Sequence, residues 1–227
     1  MSKPLALLEP AQIAMVVQRL MREAPRSQPM DSRLLRDLGV SVPLALQLVK
    51  LGWLYRLSVG AYLLTGDAPS PEGTIAYLSR RISGLHVGGK TALDWQGVRH
   101  NVMFRERLVL WGQAHYPFPA WIRNVTLYDY QTTRLFDDGV PYGKWLKPVP
   151  GRHPDVMVSL PERALVELVS QLGRGQSLEE VRNLMLTMRN LRRTILDEML
   201  EHCTKVTVVR MVCKLRRESG YDWARGL

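Results

Sequence analysis

Cysteine is almost missing from this chain of 227 residues: Cys203 and Cys213 are the only two, ten positions apart, with no CxxC pair and no His pair beside them. That excludes a disulfide scaffold and argues against a zinc or redox motif, so a reducing cytosol is the expected setting. Apolar runs are short as well. Those near the start, residues 5–8 and 13–17, are interrupted by Glu9, Pro10 and Gln12, well below the roughly 18 residues needed to cross a bilayer. A soluble chain with no secretory signal and no membrane partner is expected. There is no low-complexity tract, and apolar residues at 46% against charged residues at 23% predict order throughout. Catalytic groupings are sparse too. His86, His100, His115, His153 and His202 are scattered without metal-ligand spacing, and Asp137-Asp138 have no ExK nearby, as a metal-dependent nuclease would need. No enzyme, metal or cofactor is expected.

What the sequence does have is positive charge, 31 Lys plus Arg against 21 Asp plus Glu, a net +10. Arginine supplies 24 of the 31, and its planar fork suits phosphate and base edges. Such a balance favours phosphate-rich partners, since each docked cation releases condensed counterions. Residues 1–70, 71–160 and 161–227 carry +3, +4 and +3, so any basic surface must be assembled by folding.

The N-terminal pattern is the most informative. Ile13, Val16, Val17, Leu20 and Met21 have helical spacing over residues 12–23, which end before Pro25. After a linker at residues 26–30, Asp31 reads as the N-cap of a short helix carrying Leu34, Leu35 and Leu38, with Gly39 as its stop. Ser41 then reads as the N-cap of a third helix with Pro43 in its first turn, ending at Gly52. Residues 53–57 are strand formers, 58–60 can turn, and 61–64 can return. Helix, helix, helix, hairpin is the order of a winged helix-turn-helix; the alternative is an α+β core with no nucleic-acid role. The Asp67 to Gly73 region, rich in Pro, Gly and Ser, suggests domains at 1–68 and 69–227.

Beyond it, helices are expected at residues 74–81 and 91–96, and strands near 108–111 and 125–130. Residues 137–156, with four prolines and three glycines, read as a long connection. The last third is helical. Ser159 with Glu162 and Ser177 with Glu180 have capping-box spacing. The second pair precedes an apolar stripe through Val181, Leu184, Met185, Met188, Leu191, Ile195, Met199 and Leu200, expected to be core, and a final helix spans about 207–217 before Gly220. The fold class is therefore α+β: a winged helix followed by a larger mixed domain with a helical end.

One motif invites another reading. Residues 84–91, Gly-Leu-His-Val-Gly-Gly-Lys-Thr, fit the phosphate-loop expression GxxxxGK[ST], which would put Lys90 on phosphates and Thr91 on magnesium. Residues 78–83 before it are too polar for the buried strand such a loop requires. A glycine loop leading into a helix N-terminus is preferred, leaving Lys90 available to a DNA phosphate. Trp111, Tyr116, Phe118 and Trp121, interleaved with prolines, are candidates for base stacking, with core packing as the simpler reading.

The order of motifs resembles the AbiEi-type antitoxins, regulators in type IV toxin-antitoxin (abortive infection) systems. The resemblance rests on Leu51-Gly52-Trp53-Leu54 through Gly60-Ala61-Tyr62, on Gly88-Gly89-Lys90-Thr91-Ala92-Leu93 with Gly97, and on Pro119-Ala120-Trp121-Ile122-Arg123. It continues through Leu160-Pro161-Glu162-Arg163-Ala164, residues 184–191 and 200–203, and Lys205-Val206-Thr207-Val208-Val209-Arg210 before Gly220 and Trp223. The resemblance implies a winged helix that binds inverted repeats in the chain's own promoter. It also implies a C-terminal domain that supports repression and counters a nucleotidyltransferase-like toxin without a stable complex, the protein being a monomer that places two copies on DNA. The rival reading is a protein-interaction module that neutralises a toxin by direct contact.

On the third helix, Leu44, Leu48 and Leu51 are expected to face inward and Ser41, Pro43, Gln47 and Lys50 outward. Gln47 suits adenine N6 and N7, Lys50 guanine or phosphate. Arg33, Arg36 and Arg56 suit the backbone. Arg192, Arg193, Arg216 and Arg217 are the densest C-terminal cations and are expected to touch DNA as well.

Overall fold

The computed structural model describes residues 10–98 and 107–221; residues 5–8, His100 and Trp223 lie outside them. The chain divides into two compact units, residues 1–78 with 118–125 and residues 79–117 with 126–227. No described helix is long and apolar enough to cross a membrane.

The first unit runs α1 (Pro10–Glu23), α2 (Ser32–Asp37), α3 (Val42–Lys50), β1 (Leu54–Ser58), β2 (Ala61–Leu64) and α4 (Pro71–Ser79). Both expected caps form: Asp31 accepts from the Leu34 amide at 2.7 Å and Ser41 from the Leu44 amide at 3.4 Å. Between the two helices Gly39 takes φ +84°, a left-handed turn that a side chain would resist. Val17 and Leu20 of α1, Leu35 of α2, Leu44, Ala45 and Leu48 of α3, and Leu54, Tyr62 and Leu64 of the hairpin close on one core. Each buried large apolar side chain contributes about 1.5–3 kcal/mol. β1 and β2 pair antiparallel, and Met30 exchanges both backbone bonds with Tyr62, so the expected linker also edges the small sheet.

Leu51 departs from expectation. It is the C-cap of α3 and 53% exposed, because the chain turns away at Gly52 before the third apolar position can face inward. The unit also extends past residue 68. Asp67 accepts from the Ser27 amide, Ser70 donates its amide to Ser27, and the Tyr77 hydroxyl donates to the Gly60 carbonyl. The Pro/Gly-rich segment is thus a fastened turn inside a unit, not the gap between two.

The second unit contains β3 (His86–Val87), α5 (Gly89–Trp95) and β4 (Arg107–Trp111). The chain then re-enters the first unit through α6 (Ile122–Val125), so Val125 ends a helix instead of opening a strand. There Trp121 stacks at a tilt on Tyr77, 5.9 Å between centroids, and donates Nε1–H to the Ser58 hydroxyl. Next come β5 (Leu127–Gln131), β6 (Leu146–Lys147), β7 (Val158–Ser159), α7 (Pro161–Ser170), α8 (Leu178–Met185), α9 (Arg193–Glu201) and α10 (Val206–Ser219). The sheet order is β5-β4-β3-β7-β6, parallel at β4–β5 and β3–β7 and antiparallel elsewhere. Central β3 and β7 are two-residue strands; Val87 pairs with both Leu110 and Val158. Residues 137–156 include β6, and beside it Trp145 is buried.

Two helical expectations change. Ser159 is not the cap of α7: it lies in β7 and points its hydroxyl at both oxygens of Glu167, while Leu160 occupies the cap position. The stripe after Ser177 is core as expected, with Val181, Leu184, Met185, Met188, Leu191 and Met199 buried. It belongs to two helices, however. Thr187 bonds its hydroxyl back to the Leu184 carbonyl, and the Arg192 amide goes to Glu162 instead of a helical carbonyl, so the ladder breaks between α8 and α9.

Candidate nucleic-acid interface

With Leu44, Ala45 and Leu48 buried, the helical period turns Val42, Pro43, Leu46 and Lys50 to solvent. Ser41 is exposed but its hydroxyl is committed to the cap. Gln47 is half-buried at the edge of the face. On the preceding helix α2, Arg33 and Arg36 are exposed, and their side chains have no ion-pair or hydrogen-bond partner among the described residues. Arg56 on β1 is exposed, its Nε bonded to the Ser58 carbonyl. The face is more apolar than a base reader's usual surface, since Val42 is 51% and Leu46 42% exposed.

The glycine motif takes a different form from a phosphate loop. β3 lies inside it, Gly88 is the cap of α5, and Thr91 is buried, bridging the Arg107 carbonyl and the Val109 amide. The Glu167 carboxylate occupies the place a phosphate would take. It accepts from the Gly89 amide at 3.0 Å, from His86 Nε2 at 2.9 Å, from Arg163 Nε at 2.8 Å and from Ser159. A Cβ on Gly88 would stand 2.3 Å from Glu167 Oε2 and 2.5 Å from Trp111 Cδ1, so only glycine passes here. Burial alone would raise the Glu167 carboxyl, but the charge and hydrogen bonds of His86 and Arg163 outweigh it and bring it down to about 2. Lys90 bonds Glu180 at 2.9 Å. The expectation that this helix end can take a DNA phosphate is therefore corrected: a protein carboxylate already fills it.

Charge is used inward elsewhere in this unit as well. Glu162 is buried, and burial opposes its ionisation, yet the Arg192 fork holds its carboxyl below the usual range through bonds from Nε and Nη2 at 2.9 Å each and from the amide at 2.8 Å. Arg192 is thus a structural partner. Arg193 pairs with Asp197. Arg216 is 1% exposed and pairs with the same Asp197, which removes it from any DNA-facing surface. Arg217 is exposed, its Nε on the Cys213 carbonyl. The exposed cations of α10 are Arg210, Lys214 and Arg217, at i, i+4 and i+7. Adjacency in sequence points to residues 216–217; helical spacing is the signal that finds residues 210 and 214.

Trp111 is buried, and Tyr116, Phe118 and Trp121 are half-buried, so the aromatic group packs. His86 is a satisfied core residue, its Nδ1 at 2.7 Å from the Gly84 carbonyl oxygen.

No curated protein matches the chain. Its fold is similar to the crystal structure of the Rv2827c protein from Mycobacterium tuberculosis, with a TM-score of 0.56 over 96% of this chain and 80% of that one; at 15% identity the likeness concerns the fold alone. Two family models match in succession. Residues 14–104 match the N-terminal domain of the AbiEi antitoxin transcriptional regulators, and residues 105–227 match the type IV toxin-antitoxin transcriptional regulator AbiEi antitoxin. With both halves matched across residues 14–227, the chain belongs to the AbiEi antitoxin family of transcriptional regulators of type IV toxin-antitoxin systems.

Proposed function

We propose that this regulator represses its own promoter by binding inverted repeats as two copies of a cytoplasmic monomer, with α3 in the major groove of each half-site. Arg33, Arg36 and Arg56 hold the phosphate backbone, Lys50 reaches a base edge or phosphate, and Gln47 reads from the margin of the helix. The observation that supports this most directly is the set of exposed cations on α2 and α3: Arg33 and Arg36, whose side chains have no partners among the described residues, and Lys50 at the C-terminal end of α3. In the second unit, Arg210, Lys214 and Arg217 replace the buried Arg216 as candidates for additional phosphate contacts. The protein counters a nucleotidyltransferase-like toxin without forming a stable complex with it, and is not itself an enzyme.

Titrating the full chain against the duplex upstream of its own gene and against a random duplex, at several salt concentrations, tests this. Specific binding is expected to exceed non-specific binding by about 10³-fold or more. Gln47→Ala is expected to weaken only the specific complex, by about 1 kcal/mol, at the low end for a base contact. Equal affinity for both duplexes would overturn the reading.

A further inference from the structure

Resting on that reading, we infer that α3 recognises its half-site chiefly through thymine methyl groups. A helix face that reads hydrogen-bonding base edges needs polar side chains in its middle. Here the middle is apolar. Val42, Leu46 and Lys50 lie at i, i+4 and i+8 and share one line along the helix, with Pro43 beside it. Val42 and Leu46 remain 51% and 42% exposed although their neighbours Ala45 and Leu48 are fully packed. The polar residues cannot substitute for them: the Ser41 hydroxyl caps the helix and Gln47 is half-buried at the margin.

An apolar strip on its own has many possible occupants, and the exposed cations on its own and the neighbouring elements select among them. Lys50 continues its line, and the elements packed beside α3 expose further cations, Arg33 and Arg36 on α2 and Arg56 on β1. The complementary surface is an apolar patch close to negative charge. A major groove containing thymine has that form, because the C5 methyl projects into the groove between the phosphate strands. Val42 and Leu46 are four residues apart, a rise of about 6 Å, which corresponds to roughly two base-pair steps. Each half-site should therefore contain two methyl-dependent positions about that far apart.

The experiment replaces thymine by uracil, which removes only the methyl, one position at a time in the upstream duplex protected by the full chain. Removing one contacted methyl is expected to weaken binding about fourfold, at two positions per half-site. Leu46→Ala should abolish the uracil effect at one of them and Val42→Ala at the other. Both residues are exposed, so the variants' melting temperatures should stay at the wild-type value. If the unsubstituted duplex binds specifically and no uracil position matters, the thymine inference is wrong while the DNA-binding reading stands. Failure of specific binding altogether would remove the reading itself. If Leu46→Ala instead changes the sedimentation of the protein without DNA, the strip is a protein interface and the inference is overturned.

Discussion

The second unit carries the larger formal charge, +7 against +3 in the first, yet it ties up more of its cations with its own carboxylates. In the first, the core is apolar and the caps are neutral or local, so Arg33, Arg36 and Lys50 remain at the surface without carboxylate partners among the described residues. In the second, the buried Glu167 holds Arg163 and His86 in the core and the buried Glu162 engages the half-exposed Arg192, while Lys90 and Arg216 are occupied by Glu180 and Asp197. Net charge by segment therefore says little about which surface can meet a phosphate. What counts is the number of cations left after the protein's own carboxylates have been satisfied.

Breaking the inward network should give the largest effect. Glu167→Gln leaves Arg163 buried without its counter-charge and is expected to cost about 3–5 kcal/mol, read as a lower urea midpoint at unchanged slope. The specific affinity of protein that remains folded should be unaffected. An unchanged midpoint would mean that the network contributes nothing to stability.

Acid should act through the same group. The Glu167 carboxyl is lowered from 4.5 to about 2 in the fold, so its contribution is fully present above the unfolded value near 4.5 and is lost as pH falls toward 2. Glu162, lowered in the same direction, adds to this. Unfolding midpoints measured from about pH 6 down to about pH 2.5 should fall steadily below the unfolded carboxylate value, and Glu167→Gln should flatten that decline.

Smaller still is Lys90→Ala. It removes a pair whose side chains are 28% and 31% exposed, worth about 1 kcal/mol or less. Melting should shift by a few degrees at most, with toxin protection and operator affinity retained; magnesium-dependent nucleotide hydrolysis that disappears in this variant would revive the phosphate-loop reading.

The smallest stability effect is expected in the first unit. Arg33→Ala with Arg36→Ala should change stability by about 0.5 kcal/mol or less. The same pair should lower the slope of log affinity against log salt by nearly one for each phosphate that is no longer neutralised. An unaltered salt slope would place DNA elsewhere and dissolve the contrast between the units.

Much of the first unit is legible in the sequence because its determinants are local. Asp31 and Ser41 are caps that act within three residues, Gly39 is a turn that acts on one, and the spacing of Leu44 and Leu48 reports a helix face directly. Leu51 escapes that pattern for an equally local reason, since a helix period stops predicting where the helix stops. In the second unit the deciding contacts span long separations. His86 meets Glu167 across 81 residues, Lys90 meets Glu180 across 90, and Arg192 meets Glu162 across 30.

The sequence alone therefore sets the order of helices and hairpin, the inward stripes and the excess of arginine, all properties of composition, periodicity and short-range hydrogen bonding. Which charges are available is settled by tertiary packing. Ser159 and Glu162 have the spacing of a cap but serve Glu167 and Arg192; Gly88 and Lys90 have the letters of a phosphate loop but enclose a carboxylate. A buried carboxylate is stable only where several donors converge on it, and that convergence arises from packing distant segments together, which no local pattern encodes.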